Sequence, residues 1–555
     1  MVNLFSVTVK KLLLLGLLLL TRFPAPGANR FDEFTEKFAK TPDQAQVVAA
    51  TYLGGNGTEW LAGGGFQPDG TVVVAGVALG PKLDLGGRET VLGRDAVVAA
   101  PERAAKKDKQ GKPELDKQGK PKFESFTWRH ENATAFVARL SPDLKQLLTV
   151  TRLGWKSGGL TGCTVDAQGN IYVCGPATEA IASISADAKE LPVPDTGAKG
   201  GACQHTYLAK LTPDGAKTLW VRHFKAPSGA PDVSVGRGGE VYFQGPDLRT
   251  FSADGRQTAQ STVPGGLGGR VAVNPLDGTY ARGGETRNWS TGREPYRDPV
   301  LNIHRPDGSL LYELYHWDGP LVGLNNLRLV SDSVVRGVCY DDDGNLLIHA
   351  WSDGGNSVLL REPTDVRAVS RKLDGLGFSA WGAGVLSSAY LIKIDPRTYK
   401  VAGGTLWLAF LRDKNKPNSI NINTLGFARD GSVCIGGSSA WGLIQTANAF
   451  PGEPGGSYVA VLNKDCTALR FSSNLPATGQ AEVTDGARWA VVSGVQNGRA
   501  RVLFLSGAVD QEDSYGLRPA PTLNPRQPKF GGGFSDGHIL LLDLSAKTGQ
   551  PLSQR

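Results

Sequence analysis

Metal and haem signatures are missing from this chain: six cysteines and seven histidines occur in 555 residues, yet no CxxC, CxxCH or HExxH is present. No glycine-rich loop follows a strand and opens a helix, so a phosphate cradle is excluded, and no GxSxG stands in a nucleophile-elbow context. No cofactor is implied. Charge of one sign is scarce as well. The formal net charge is +7, and Lys10, Lys11 and Arg22 belong to an N-terminal segment read below as removable, which leaves 7 − 3 = +4. Of this, +3 comes from residues 101–126, with eight basic and five acidic side chains. A near-neutral remainder has no clustered basic face, so nucleic acid is not an expected partner.

After the N-terminus no apolar run approaches the roughly 20 residues that span a bilayer. The start itself carries Lys10 and Lys11, the apolar run Leu12–Leu20 interrupted by Gly16, and Phe23-Pro-Ala-Pro-Gly27. A basic start, a short apolar stretch and small residues at a break are the pattern of a secretory signal over 1–27; a retained anchor is the alternative. The expected location is secreted, periplasmic or cell surface, with no membrane span once the signal is gone. Residues 28–46 form an extension in which Phe31, Phe34 and Phe38 share a helical spacing and predict a short helix against the main body.

What is abundant is glycine, 72 residues, with 33 prolines and turn dipeptides throughout. These punctuate many short strands. The stretch TYLGGNGTEWLAGGGFQPDGTVVVAG, residues 51–76, is the clearest copy of a repeating unit, and its parts return to the C-terminus. Each unit offers an apolar strand, a Pro-Asp-Gly-like turn, a Val-rich strand ending in Gly, a third strand and a fourth. Seven units can be laid out, the last with AEVTDGARWAVVSG as its inner hairpin and HILLLDL as its third strand. That last unit lacks a fourth strand, while VVAATYLGG near the start is a fourth strand without a third. The two ends complete each other. Residues 47–555 are therefore expected to form an all-β, seven-bladed propeller of four-stranded blades, closed by the N-terminal strand in the last blade. Solenoid stacking explains the repeats but not the complementary ends.

TYLGGNGTEW, the PDG and DAQGN turns, and SSAWGLIQTANAFPGEPGGSYVAVLNKD resemble the bacterial seven-bladed propeller repeat called SBBP. The resemblance implies the fold and export to the cell surface, and it brings no catalytic residues.

In such a ring the joints between blades and the loops from second to third strand emerge on one face. The long insertions 77–133, 175–205, 351–388, 437–457 and 495–537 all belong there, and loops on a rigid scaffold commonly carry function. Trp128, Trp289, Trp351, Trp381 and Trp441, with His130, are the candidate ligand-binding residues, since an indole stacks on sugar rings or grips a partner. Trp220 and Trp407 fall inside outer strands and are read as packing. His205, His349 and His538, like His130, map to strand ends on the same face; His538, His130 and His205 come from neighbouring blades, at a spacing too wide for a metal. Asp341-Asp-Asp-Gly-Asn345 reads as a turn rather than a calcium loop, lacking the distant Glu. Cys163 and Cys174 are the expected disulfide, facing across CTVDAQGNIYVC, with Cys174–Cys203 as the rival. The expected function is non-catalytic binding of a glycan or surface protein. A secreted polysaccharide lyase or hydrolase, or a structural envelope component, are the alternatives.

Overall fold

The computed structural model describes residues 38–39 and 43–545, less stretches of the connections, the longest being 94–106, 116–133, 178–188, 192–204, 262–270, 287–296, 317–331, 375–386, 479–488 and 509–518. The expected architecture is present: seven antiparallel sheets, each a blade, arranged in a ring. From the innermost strand outward, blade 1 is Thr58–Phe66, Val72–Leu79, Thr134–Leu140 and Leu147–Gly154; blade 2 is Gly162–Val165, Ile171–Ala177, His205–Leu211 and Thr218–Phe224. Blade 3 comprises Asp232–Val235, Val241–Gln244, Leu248–Phe251 and Gln257–Ser261, and blade 4 Val271–Val273, Tyr280–Thr286, Asp298–His304 and Leu310–Leu314. Blade 5 comprises Ser333–Tyr340, Leu346–Ser352, Ser388–Ile394 and Val401–Trp407, and blade 6 Ile420–Phe427, Val433–Ser439, Gly456–Leu462 and Leu469–Asn474.

Blade 7 holds Ala490–Gln496, Arg499–Ala508 and Asp536–Asp543, and its outermost strand is Gln46–Leu53 from the other end of the chain. The two termini pair antiparallel from Gln46 opposite Asp543 to Leu53 opposite Gly537. The inner hairpin of this blade differs from the expected AEVTDGARWAVVSG. Its turn is Asn497-Gly498, with φ of 52° and 72°, and not Asp485-Gly486. Two left-handed residues match the twist of the flanking strands, which is why Asn-Gly prevails. The last insertion accordingly runs from Ala508 to Asp536.

The core lies between blades. Every residue of Val72–Leu79 is buried because the sheet has neighbours on both sides. Val73, Ala75 and Val77 pack with Cys163, Val173 and Tyr207 of blade 2, while Val72, Val74 and Ala78 pack with Leu503, Leu505 and Ile539 of blade 7. Strict alternation of side chains thus assigns one strand to two interfaces. The glycine that ends the Val-rich strand has a packing reason: at Gly76, Gly175 and Gly437 a Cβ would collide with a backbone carbonyl of the segment alongside, of Trp60, Gly159 and Asn421 respectively. Two glutamines repeat one clamp on the opposite face. Gln67 Nε2 donates to the carbonyls of Gly169 (2.8 Å) and Pro213 (2.6 Å) in blade 2. Gln496 Nε2 donates to those of Gly70 (2.7 Å) and Pro142 (3.1 Å), joining blade 7 to blade 1.

The motif TYLGGNGTEW is the seam of the ring. Thr51–Leu53 end the closing strand, Gly54–Gly57 cross over, and Thr58 opens blade 1. The site of a Cβ at Gly54 is filled by the Asp536 carboxyl, and one at Gly533 by the carbonyl of Gly57, so two glycine-rich segments lock backbone to backbone.

Cys163 and Cys174 do not form the expected disulfide; both are free and buried. Cys163 pairs with Val173 and Cys174 with Gly162, a one-residue offset that sends the two thiols to opposite faces of the sheet. Cys163 packs toward blade 1 and Cys174 toward blade 3. Cys203, the rival partner, lies outside the described residues. Cys466 is fully buried at a left-handed turn position (φ 57°), and Leu144 holds the corresponding position of blade 1 (φ 61°); burial offsets the backbone cost. Phe38 and Ala39 are helical and buried against the core of blades 4 to 6, whereas Phe31 and Phe34 lie outside the described residues.

Candidate functional site

The strand order sends the joints and the second-to-third-strand connections to one face, as expected. Their described parts, however, do not stay on it. Each of the five insertions runs along the outermost strand of its own blade. Arg88–Gly93, Lys189–Leu191 and Leu373–Asp374 add a fifth, parallel strand to blades 1, 2 and 5. In blade 6 the Thr446 amide donates to the Ser472 carbonyl (3.1 Å) and Ser472 Oγ to the Ile444 carbonyl (2.6 Å). In blade 7 Ala50 and Leu523 exchange backbone bonds of 2.8 and 2.9 Å. In these parts the insertions seal sheet edges, which left bare would invite pairing with other chains.

Of the residues singled out from sequence, Trp128, His130, Trp289 and Trp381 lie outside the described residues. Trp441 is 37% exposed at the start of the blade 6 insertion, where its carbonyl accepts from Asn418 Nδ2 (3.0 Å). Trp351 ends the second strand of blade 5 and is half-buried. It is not an open stacking platform. The Arg336 guanidinium lies 4.3 Å from its ring centroid, and its Nε1 donates to Ser387 Oγ (2.6 Å). Ser387 Oγ is in turn 2.8 Å from Asn421 Oδ1 and 3.2 Å from the Ile420 carbonyl, so the indole is braced against blade 6.

Arg336 was not among the sequence candidates. It occupies a β-bulge in the innermost strand of blade 5, between Val335 and Gly337. Blades 1 and 6 have the same bulge at Ala62 and Asn423. An innermost strand has a neighbour strand on one side and adjacent blades against both faces, so an exposed side chain there reaches only the central channel or its mouth. Arg336 and Asn423 are both exposed. The sequence signal was a single charge inside the apolar run SVVRGVCY.

Beside Arg336 stand Arg297 and Glu285 of blade 4 and Asp332 in the joint to blade 5. Arg297 Nη1 is 3.5 Å from Glu285 Oε2, its Nε 3.7 Å from Asp332 Oδ2, and its amide donates to Asp332 Oδ1 (2.8 Å). Both carboxylates are thereby engaged by Arg297. Partial burial holds the Arg336 guanidinium below its ordinary pKa, with Arg297 adding to the effect and Glu285 opposing it. Among the described residues Arg336 makes no hydrogen bond or ion pair. Among the described residues, the mouth between blades 4, 5 and 6 thus presents a guanidinium over an indole that is braced by the Ser387 hydroxyl and the Asn421 amide.

The other titratable groups singled out, where described, are engaged in packing or turns. His538 is buried against Tyr52, its Nε2 donating to the Pro521 carbonyl (3.0 Å), and burial pulls its pKa down to about 4. His205 stacks on His223 with ring centroids 4.7 Å apart, and His349 is buried. Among the described residues no three His, Cys, Asp or Glu side chains gather as for a metal. Glu59 and Asp536 are fully buried at the seam. Burial, with Asp536 adding to it, raises Glu59 to about 8, against the Gly55 amide that donates to its Oε2 (3.3 Å). Asp341 caps its own turn, accepting from the amides of Asp343 (2.9 Å) and Asn345 (2.8 Å), as the turn reading required. Trp220 and Trp407 are buried packing residues.

No family model matches the chain, and no curated protein matches it. Among solved structures it is similar to a protein of unknown function from Dyadobacter fermentans, at 12% identity over 90% of this chain and 99% of that one, with a TM-score of 0.34. A protein of unknown function from Bacteroides caccae matches at 10% identity over 61% and 89%, with a TM-score of 0.29. The C-terminal WD40 domain of Sif2 matches at 7% over 90% and 99%, with a TM-score of 0.35. Scores this low carry no argument, and the propeller assignment rests on the strand order and register of this chain.

Proposed function

We propose that this chain is an exported, SBBP-like binding propeller that takes a glycan at the channel mouth between blades 4, 5 and 6. The observation that carries the reading is the Arg336–Trp351 contact, a cation–π pair set beside Ser387 and Asn421. A guanidinium, amides and an indole edge together match the hydroxyl-rich, partly apolar surface of a sugar. The signal-like pattern of the N-terminal residues supports the export part of this proposal. Glu285 and Asp332 are held by Arg297, an arrangement suited to holding a ligand rather than transferring protons to it.

The test is a glycan array probed with the chain from residue 28 onward, beside Trp351→Ala and Trp441→Ala. The expected result is a defined set of bound glycans whose signal falls at least about tenfold in Trp351→Ala and less in Trp441→Ala. Absence of any bound glycan for the unaltered protein, or retention of full signal by Trp351→Ala, overturns the reading. Capture of one protein partner instead, through the same tryptophan, also replaces it.

A further inference from the structure

We infer that the ligand of this mouth carries a carboxylate: the site is built for an acidic sugar, a uronate, whose acid group meets Arg336 while Asn421, Asn423 and Ser387 face its hydroxyls. The inference rests on the glycan reading above and specifies its chemical class.

Three features lead to it. First, Arg336 is exposed at the bulge of its innermost strand, and the residues at the same bulge in blades 1 and 6, Ala62 and Asn423, carry no charge. Among these three described bulges the guanidinium occurs in blade 5 alone. Second, the Arg336 guanidinium lies over the Trp351 ring, 4.3 Å from its centroid, and Ser387 braces the indole through a 2.6 Å bond. A guanidinium is a planar fork that receives a carboxylate on two parallel N–H groups, and contact with the indole limits its freedom. Third, the neighbouring carboxylates have a cation of their own in Arg297. Glu285 and Asp332 lie on Arg297, and the Asp353 amide donates to the Asp332 carbonyl (2.9 Å), which sets that exposed side chain on the same rim. Three carboxylates would repel an anion placed among them, so the acid is confined to the channel side of Arg336. The same carboxylates accept hydrogen bonds from sugar hydroxyls. A neutral sugar would offer Arg336 hydroxyl oxygens alone, which are weaker acceptors for a guanidinium than a carboxylate.

Calorimetric titration separates the possibilities with tetragalacturonate, tetramannuronate and unsulfated chondroitin tetrasaccharide as acidic probes. Galactotetraose and mannotetraose are the neutral comparators, and sulfated chondroitin tetrasaccharide asks whether sulfate is preferred to carboxylate. The expected result is binding of at least one uronate probe, with its neutral comparator at least about tenfold weaker. Arg336→Gln is expected to weaken the uronate about ten- to hundredfold and Arg336→Lys by less, because a point charge keeps attraction without the fork. Equal affinity for acidic and neutral probes, or unchanged uronate binding by Arg336→Gln, overturns the acidic-sugar inference while leaving the glycan reading intact. Stronger binding of the sulfated probe than of the unsulfated one overturns the carboxylate assignment. Array binding to neutral glycans alone does the same, whereas an array with no binding at all removes the underlying reading.

Discussion

Replacing Arg470 by methionine is expected to destabilise the propeller by about 3 kcal/mol and to loosen its closure. Arg470 lies on the outermost strand of blade 6 with its side chain 6% exposed. Its Nη1 donates to Asp430 Oδ2 (2.5 Å) and Ser432 Oγ (2.7 Å) at the inner hairpin turn of its own blade. Its Nη2 reaches Asp43 Oδ1 (3.1 Å), just before the closing strand, and the carbonyl of Leu544, just after the last one. The Arg470 carbonyl also accepts from the Ala45 amide (2.8 Å). One side chain thus ties both ends of the ring to the neighbouring blade. Asp43 is mostly exposed and adds little. The cost arises from leaving the buried Leu544 carbonyl and the Asp430 carboxylate without their donor. Urea denaturation at unchanged slope is the measurement, and Arg470→Lys should recover only part of the loss, since one ammonium cannot address these acceptors together. A methionine variant within about 0.5 kcal/mol of the parent would contradict the latch.

Glutamine at position 59 should act in the other direction, and only above acidic pH. The folded chain holds Glu59 as a neutral acid with a pKa of about 8, against 4.5 for an ordinary glutamate. Below pH 4.5 the residue is protonated in both states and costs nothing. As the pH rises, the unfolded chain ionises first, so folding loses about 1.4 kcal/mol per pH unit, levelling off near pH 8 at about 4–5 kcal/mol. His538 has the opposite sign. Its folded pKa of about 4 lies below 6.5, so it contributes stability that is gained as the pH rises from 4 to 6.5. The two effects offset one another between pH 4.5 and 6.5, and the Glu59 term stands alone from 6.5 to 8. The stability difference between Glu59→Gln and the parent isolates it, because His538 cancels. That difference should change little below pH 4.5 and grow by about 3 kcal/mol at pH 7 in favour of the variant. A difference that stays flat from pH 5 to 8 would show that Glu59 ionises normally in the folded chain.

The ring and its closure were legible in the sequence because each end lacked the strand that the other supplied. Glycine positions carried much of the rest: those ending the second strands mark close backbone approach, and TYLGGNGTEW marks the seam. Features that depend on one residue of register were not legible. The Cys163–Cys174 expectation failed by a single pair, and in blade 7 an apparent Asp-Gly turn at 485–486 concealed the working Asn-Gly turn at 497–498. The fifth strands RETVLG, KEL and LD are short and carry no alternation, so nothing in them announces pairing with the edge of their own blade. The site was only half legible. Trp351 drew attention as an aromatic, but its role depends on Arg336, a lone charge in an apolar strand whose outward turn follows from a bulge that spacing does not reveal.

Hydrogen–deuterium exchange of the amides in Gln46–Leu53, followed in the intact protein, tests the closed ring most directly. A strand paired along its length with Asp536–Asp543 should exchange as slowly as that partner, and both should open together when Arg470 is replaced. Exchange of Gln46–Leu53 at the rate of an unpaired segment, while Asp536–Asp543 remains protected, would mean that the ends do not share a blade and would remove the single joint-bearing face on which the proposed site lies.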